Sequence, residues 1–151
     1  MMFSTNIRMV YAQNYLKQAS QIARHGIQFQ EQRMKIATEN IANENSTATS
    51  PNQDPYQRKV IFAQNKYDKR AKTNVISTKK ITNAKQIDRF IYKYDPYHPA
   101  ANQQGYVKYP NINSAIEVMD INEAKTSIET NLSAMKISTD MMTKTIELIS
   151  R

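Results

Sequence analysis

From Val118 to Ile149 the chain carries an apolar repeat that no proline or glycine interrupts. Val118, Ile121, Lys125, Ile128, Leu132, Met135, Thr139, Met142, Ile146 and Ile149 step by 3 and 4 alternately, the spacing that sets one face of a helix along a coiled-coil seam. Asn113 or Ser114 stands where a helix cap belongs, and Glu117 falls in the first turn, against the positive end of the helix dipole. Such a helix spans about 48 Å at 1.5 Å per residue, more than a domain this small needs to cover its own core. Lys125 and Thr139 are the polar positions of the seam. A polar seam residue either fixes register and partner choice or, for lysine, lays its stem along the neighbours and reaches water.

A second helix reads from Leu16 to Ile41. Leu16, Ser20, Ala23, Ile27, Gln30, Met34, Ala37 and Ile41 repeat the same alternation, while Ile22, Phe29 and Ile36 widen the stripe. Asn43-Glu44-Asn45-Ser46-Thr47, followed by Pro51, favours turns over helix interior and ends it. Residues 1–15 show no convincing period. Seams at both ends predict that the two helices pair with each other and with neighbouring copies; a closed antiparallel helical hairpin is the simpler alternative. On the assembly reading Ile27, Met34, Ile41, Val118, Ile121, Ile128, Leu132, Met135, Met142, Ile146 and Ile149 form the interface.

Residues 56–112 change character. Val60-Ile61-Phe62 and Val75-Ile76 are short β-forming runs, and the aromatics of Phe90-Ile91-Tyr92-Lys93-Tyr94 alternate as on a half-buried strand. Asn65, Asn74, Asn83 and the stretch Asp95-Pro96-Tyr97-His98-Pro99 punctuate these runs with turn formers. A small antiparallel sheet of three or four strands is expected. The fold class is therefore α+β: an N-terminal extension (1–15), an N-terminal axial helix (16–45), a β-rich middle (46–113) and a C-terminal axial helix (114–151).

Little in the chain suits chemistry. Two glycines leave no glycine-rich phosphate loop, and without cysteine there is no disulfide, thiolate nucleophile or thiolate metal site. Asp95 and His98 have the residue types of an acid–base pair, but a DPxHP stretch is better suited to a rigid double turn. Asp120 and Glu123 lie one helical turn apart without a third ligand type nearby. No catalytic residue, metal ligand, cofactor or small-molecule substrate is expected. No run approaches the roughly 20 apolar residues of a membrane span. The chain also shows no basic-then-apolar leader, so a protein that leaves the cytoplasm is expected to use another route.

Charge is concentrated. Residues 56–93 hold eleven lysines and arginines against Asp68 and Asp88, a net +9, while the remainder of the chain stands at −1. Such a segment serves nucleic acid, an anionic membrane or an acidic protein, or simply forms a solvated face. Tyr92, Tyr94, Tyr97, Tyr106 and Tyr109 lie near this charge, but their spacing matches no RNA-recognition signature, and aromatics covering a small sheet are the expected reading. A nucleic-acid-binding protein using 56–93 and a cytoplasmic helical-hairpin adaptor are the alternatives to a structural subunit.

Two stretches carry a specific resemblance. Gly26-Ile27, Gln30 and the run Arg33-Met34-Lys35-Ile36-Ala37-Thr38-Glu39-Asn40-Ile41-Ala42-Asn43 resemble the N-terminal signature of the flagellar rod and hook axial proteins. The stretch Tyr94-Asp95-Pro96-Tyr97-His98-Pro99-Ala100-Ala101-Asn102, with Gly105-Tyr106-Val107 and Tyr109-Pro110-Asn111-Ile112-Asn113, is similar to the proximal-rod branch of that family. Pro55-Tyr56-Gln57-Arg58-Lys59 resembles the start of its middle region, and Glu129-Thr130-Asn131 falls on a motif of its C-terminal helix. His25 and Ile128 depart from the family pattern, and about fifteen residues precede its usual start. The resemblance implies a non-enzymatic structural subunit of the bacterial flagellar basal body. Such a subunit is exported uncleaved by the flagellar type III apparatus and assembles helically in the periplasmic rod. Its implied partners are copies of itself, other rod proteins and the basal adaptor between export gate and MS ring. It transmits torque, and no nucleic acid is expected.

Overall fold

The computed structural model describes residues 2–85 and 89–149, with side chains from position 11 onward apart from Ala12 and Ile149. Six elements follow in order: α1 (Met2–Ala42), β1 (Lys59–Asp68), β2 (Thr73–Asn83), β3 (Phe90–Tyr94), β4 (Tyr106–Pro110) and α2 (Ser114–Ile149). This is the expected α+β arrangement of two long terminal helices and a small β-rich middle. Helix α1 begins at Met2, so it includes the segment whose sequence carries no period. It ends as expected at Asn43, whose side-chain amide donates to the Glu39 carbonyl (2.8 Å) beside the last main-chain bonds.

The middle differs from the single sheet of three or four strands expected. It holds two separate two-stranded sheets, β1–β2 and β3–β4. Strands joined by the short turn 69–72 pair antiparallel, as any tight connection requires. Beyond the strand ends the pairing continues where the Ala84 N–H donates to the Arg58 carbonyl (2.7 Å).

Two compact units divide the chain, and each draws on both helices and on the β1–β2 hairpin. The first takes α1 up to Gln32, Ala63–Lys79 and α2 from Ala124. Its core is made of small residues: Ala23, Ala71, Val75, Ala124 and Ser138. The hairpin turn is built by Asp68, whose carboxylate accepts the N–H groups of Arg70 (2.7 Å) and Ala71 (3.1 Å), with Lys72 in the left-handed region at φ 52°. Those N–H bonds, Ala71's first, hold the Asp68 carboxyl below the usual carboxylate range. His25 Nε2 lies 3.1 Å from the second carboxylate oxygen and ties the turn to α1.

The second unit comprises Arg33–Phe62 and Lys80–Glu123. Strands β3 and β4 pair antiparallel in the register Phe90↔Pro110, Tyr92↔Lys108 and Tyr94↔Tyr106. Val107 and Pro110 of β4 are fully buried, as nearly is Ile112 beyond the strand. Strand β3 is open on both faces, with Ile91, Tyr92, Lys93 and Tyr94 exposed; Tyr94 meets Tyr106 edge-on across the pair, so these aromatics lie over the sheet as expected. The connection between these strands is the rigid double turn expected of DPxHP. His98 Nδ1 accepts the Ala100 N–H (3.0 Å), leaving Nε2 to donate to the Thr47 hydroxyl (3.3 Å). Gly105 closes the turn at φ 79°, and a Cβ there would stand 2.8 Å from the Tyr94 ring, so no other residue fits.

A buried polar network holds the ends of the helices in this unit. Asn40 spans the Lys59 peptide as a strand would: its Oδ1 accepts the Lys59 N–H and its Nδ2 donates to the Lys59 carbonyl, both at 2.9 Å. Nδ2 also reaches Glu117 Oε2 (3.0 Å), and Tyr56 donates its hydroxyl to Asn40 Oδ1 (2.9 Å). Glu117, itself buried, takes the Arg58 guanidinium at 2.6 Å. Asn113 caps α2 through its Oδ1 to the Ala115 N–H (3.0 Å), one of the two caps expected.

Removing one member of a buried ion pair strands the other's charge. Arg58→Ala should therefore cost about 3–5 kcal/mol in urea unfolding. Adding Glu117→Gln should recover more than half of that loss by removing the orphaned charge. A double variant no more stable than Arg58→Ala would show that the pair does not carry this energy. Burial, then the negative charges of Glu39 and Glu117, pushes the Tyr56 phenol up to about 12. Because its folded value is the higher one, the stability it contributes is complete below pH 10 and is lost as pH rises from 10 towards 12. Ultraviolet titration should show one tyrosine ionising near pH 12, and Tyr56→Phe should remove that step.

Candidate assembly interface

The faces of α2 are read from which residues the fold covers. Glu117, Ile121, Ala124, Ile128, Asn131, Met135, Ser138, Met142 and Thr145 are buried or half-buried and step by 4 and 3 without exception. They form the inward row, and five of the nine are small or polar. The row expected from sequence shares only Ile121, Ile128, Met135 and Met142 with it. Val118, Leu132 and Ile146 are exposed (47–53%), as are Lys125 and Thr139 between them. Thr139 turns its hydroxyl back to the Met135 carbonyl (2.9 Å).

In heptad terms the inward row supplies positions a and d, and Val118, Lys125, Leu132, Thr139 and Ile146 occupy e. On the other flank, at g, Ala134, Met141 and Leu148 are also exposed. A two-helix coil normally keeps charge at e and g, where water reaches. Here the g flank turns apolar towards the C-terminal end, and the e flank alternates Val118, Leu132 and Ile146 with Lys125 and Thr139, so apolar side chains extend beyond the covered row on both sides.

The physical reason for the one-position shift lies in α1. Its expected seam is on the covered side: Ala23 and Ala37 are buried, and Leu16, Ser20, Ile27, Gln30, Met34 and Ile41 half-buried. This face carries small residues and polar anchors, which α2 meets with small and polar residues of its own. In the first unit Gly26 permits the close approach, since a Cβ there would lie 2.9 Å from the Asn131 amide. In the second, Arg33 grips Asp120 (2.5 Å) and Glu123 (2.7 Å), Asn40 meets Glu117, and Ser114 donates to Glu44. The partner number falls as the α1 number rises, so the helices run antiparallel. Outward, α1 leaves Tyr11, Tyr15 and Ile22 exposed.

Of the residues expected at the interface, Ile27, Met34, Ile41, Ile121, Ile128, Met135 and Met142 thus sit half-covered by the chain itself. Val118, Leu132 and Ile146 stand open, and the Ile149 side chain lies outside the described residues. Sequence reasoning missed Met141 and Leu148, which repeat at seven residues on the other flank. Asp120 and Glu123, weighed above as a carboxylate pair, are the two partners of Arg33.

No protein-family model matches the chain. Among curated proteins, the flagellar basal-body rod protein FlgC of Agrobacterium fabrum is 38% identical over 136 residues, covering 89% of this chain and 95% of that protein. The chain belongs to the FlgC family of flagellar basal-body rod proteins. The FlgC of Escherichia coli O6:H1 is 30% identical over 127 residues (84% of this chain, 92% of its own), and that of Bacillus subtilis 30% over 131 residues (77% and 86%).

The stretches that resemble the axial proteins now have physical roles. In this FlgC-family chain, Asn40 from the first stretch and Tyr56, Arg58 and Lys59 from the start of the middle region meet in one buried network. The proximal-rod stretch supplies the Gly105 turn and the strand that buries Val107. Asn131, where the family motif of the C-terminal helix falls, packs on Gly26.

Proposed function

We propose that this FlgC-family chain is a structural subunit of the proximal flagellar rod, joined to copies of itself and to other rod proteins through the outward faces of its helices. The observation that carries this reading is the pair of exposed apolar flanks on α2, Val118–Leu132–Ile146 and Met141–Leu148. Large apolar side chains left exposed along a helix are the kind of surface a contact site presents.

On this reading the mechanism is assembly. Neighbouring helices cover the e and g flanks, apolar burial at about 25 cal/mol per Å2 drives their docking, and torque passes through the resulting close-packed interfaces. The subunit performs no catalysis. It reaches the rod in the periplasm through the flagellar type III apparatus, and the adaptor at the base of the rod is among its neighbours. Ile27, Met34, Ile41, Ile121, Ile128, Met135 and Met142 support the interface from beneath by setting the helix pair, while the exposed residues make the contacts.

Because Leu132 and Ile146 are exposed in the subunit, Leu132→Asp and Ile146→Asp should leave its circular dichroism and urea midpoint nearly unchanged. Both should nevertheless abolish incorporation into purified basal bodies, and motility with it, since an unpaired carboxylate in a dry interface costs several kcal/mol. Lys136→Asp, a surface change worth under about 1 kcal/mol, should assemble. Normal incorporation of Leu132→Asp would remove the e flank from the interface.

A further inference from the structure

A second surface, apart from the helical flanks, lies at the β1–β2 turn of the first unit. Lys66, Lys69, Arg70 and Lys72 are exposed on the turn and its strand, and Lys17 and Arg24 are exposed on α1. Within Ala63–Lys79 the only carboxylate is Asp68, and it is committed to the N–H groups of Arg70 and Ala71 and to His25. Among the described residues Lys66, Lys69, Arg70 and Lys72 form no ion pair. They are also held in place: Ala71 and Val75 are buried, and the Asp68 bonds fix the turn backbone. A cation whose backbone is already ordered loses less entropy on binding.

The surface is concave. Arg70 lines one cleft of about 480 Å3 with Lys17 and Lys72, and another of about 550 Å3 with His25, Lys66 and Lys69. In the first, Asn14, Gln18 and Gln21 add amide groups that donate to and accept from a peptide main chain. In the second, the Ser77 hydroxyl oxygen is buried and has no hydrogen-bond partner among the described residues. A flat bilayer does not enter such clefts. Tyr67 and the His25 imidazole, already held by Asp68, are the rings among the described residues that line them, too few for the successive stacking platforms of a single-strand groove. We propose that the basic clefts around the β1–β2 turn receive an acidic polypeptide segment of a partner protein, with Arg70 and Lys72 pairing its carboxylates and the α1 amides holding its backbone.

The test uses the full chain and fluorescein-labelled oligoglutamate as probe, with a single-stranded oligonucleotide of equal charge and phosphatidylglycerol vesicles as the other arms. Oligoglutamate should bind saturably at one site, more weakly as salt rises. Arg70→Glu/Lys72→Glu should weaken it tenfold or more, as the loss of charge-assisted bonds requires. Lys35→Glu/Lys85→Glu, the same charge change at exposed positions of the second unit, should leave it unchanged. Should the reversal disturb the fold by circular dichroism, Arg70→Gln/Lys72→Gln takes its place with the same expected order. Equal weakening by both double variants would mean a solvated charged face. Tighter binding of the oligonucleotide or the vesicles would overturn the proposal in favour of those partners.

Discussion

The contact between Glu117 and Asn40 decides more of this molecule than any other. A carboxylate with its side chain 2% exposed is tolerated only because Arg58 and the Asn40 amide take its oxygens. The same Asn40 amide holds the Lys59 peptide, so one cluster joins the end of α1, the entry to β1 and the first turn of α2. In the first unit the covered residues of α2 include Ala124, Asn131, Ser138 and Thr145, at steps of seven. Leu132 and Ile146, each one position after a covered residue, are exposed.

A conventional soluble helix pair hides its largest apolar residues between the helices. This chain hides its own only in part. Small and polar groups make the close contacts of α1 and α2, through the Gly26–Asn131 approach in one unit and the Arg33 and Asn40 contacts in the other. Ile121, Ile128, Met135 and Met142 are half-covered, while Val118, Leu132, Met141, Ile146 and Leu148 stay exposed. As a free subunit this is a poor use of apolar surface. It makes physical sense on the assembly we propose, in which neighbours would supply the missing stability and polar anchors within the chain would set the geometry they meet. Such anchors are directional where apolar contacts are not, so they specify phase at some cost in stability.

Much of this was legible in the sequence. The α+β class, the α1 seam, the Asn113 cap and the Asp95–His98 turn all follow from local rules: periodicity, capping chemistry and the fixed φ of proline. The phase of α2 was not. The rows through Val118 and through Glu117 have the same period and differ by one residue, and hydrophobicity favours the one that lies open in the subunit. Only long-range contacts break the tie, and a glutamate in an apolar row is a faint sign of them. The separation into two sheets was hidden for a similar reason, since strand runs carry no label of their partners. The β1–β2 hairpin also leaves Phe62, Tyr67 and Ile81 exposed, so its alternation reports no single core face. Residues 2–15 lack a seam yet continue α1, because extending an existing helix is far easier than nucleating one.

The chain has no cysteine, so a single introduced thiol reports on one position alone. The most direct measurement is maleimide labelling of Leu132→Cys in the free subunit and in purified basal bodies. The account predicts rapid labelling in the subunit, where Leu132 is 47% exposed, and protection after assembly. Lys136→Cys, labelled in parallel, calibrates access of the reagent to the rod. If Leu132→Cys labels in assembled rods as fast as in the free subunit, the outward apolar flank of α2 is not where the subunits meet.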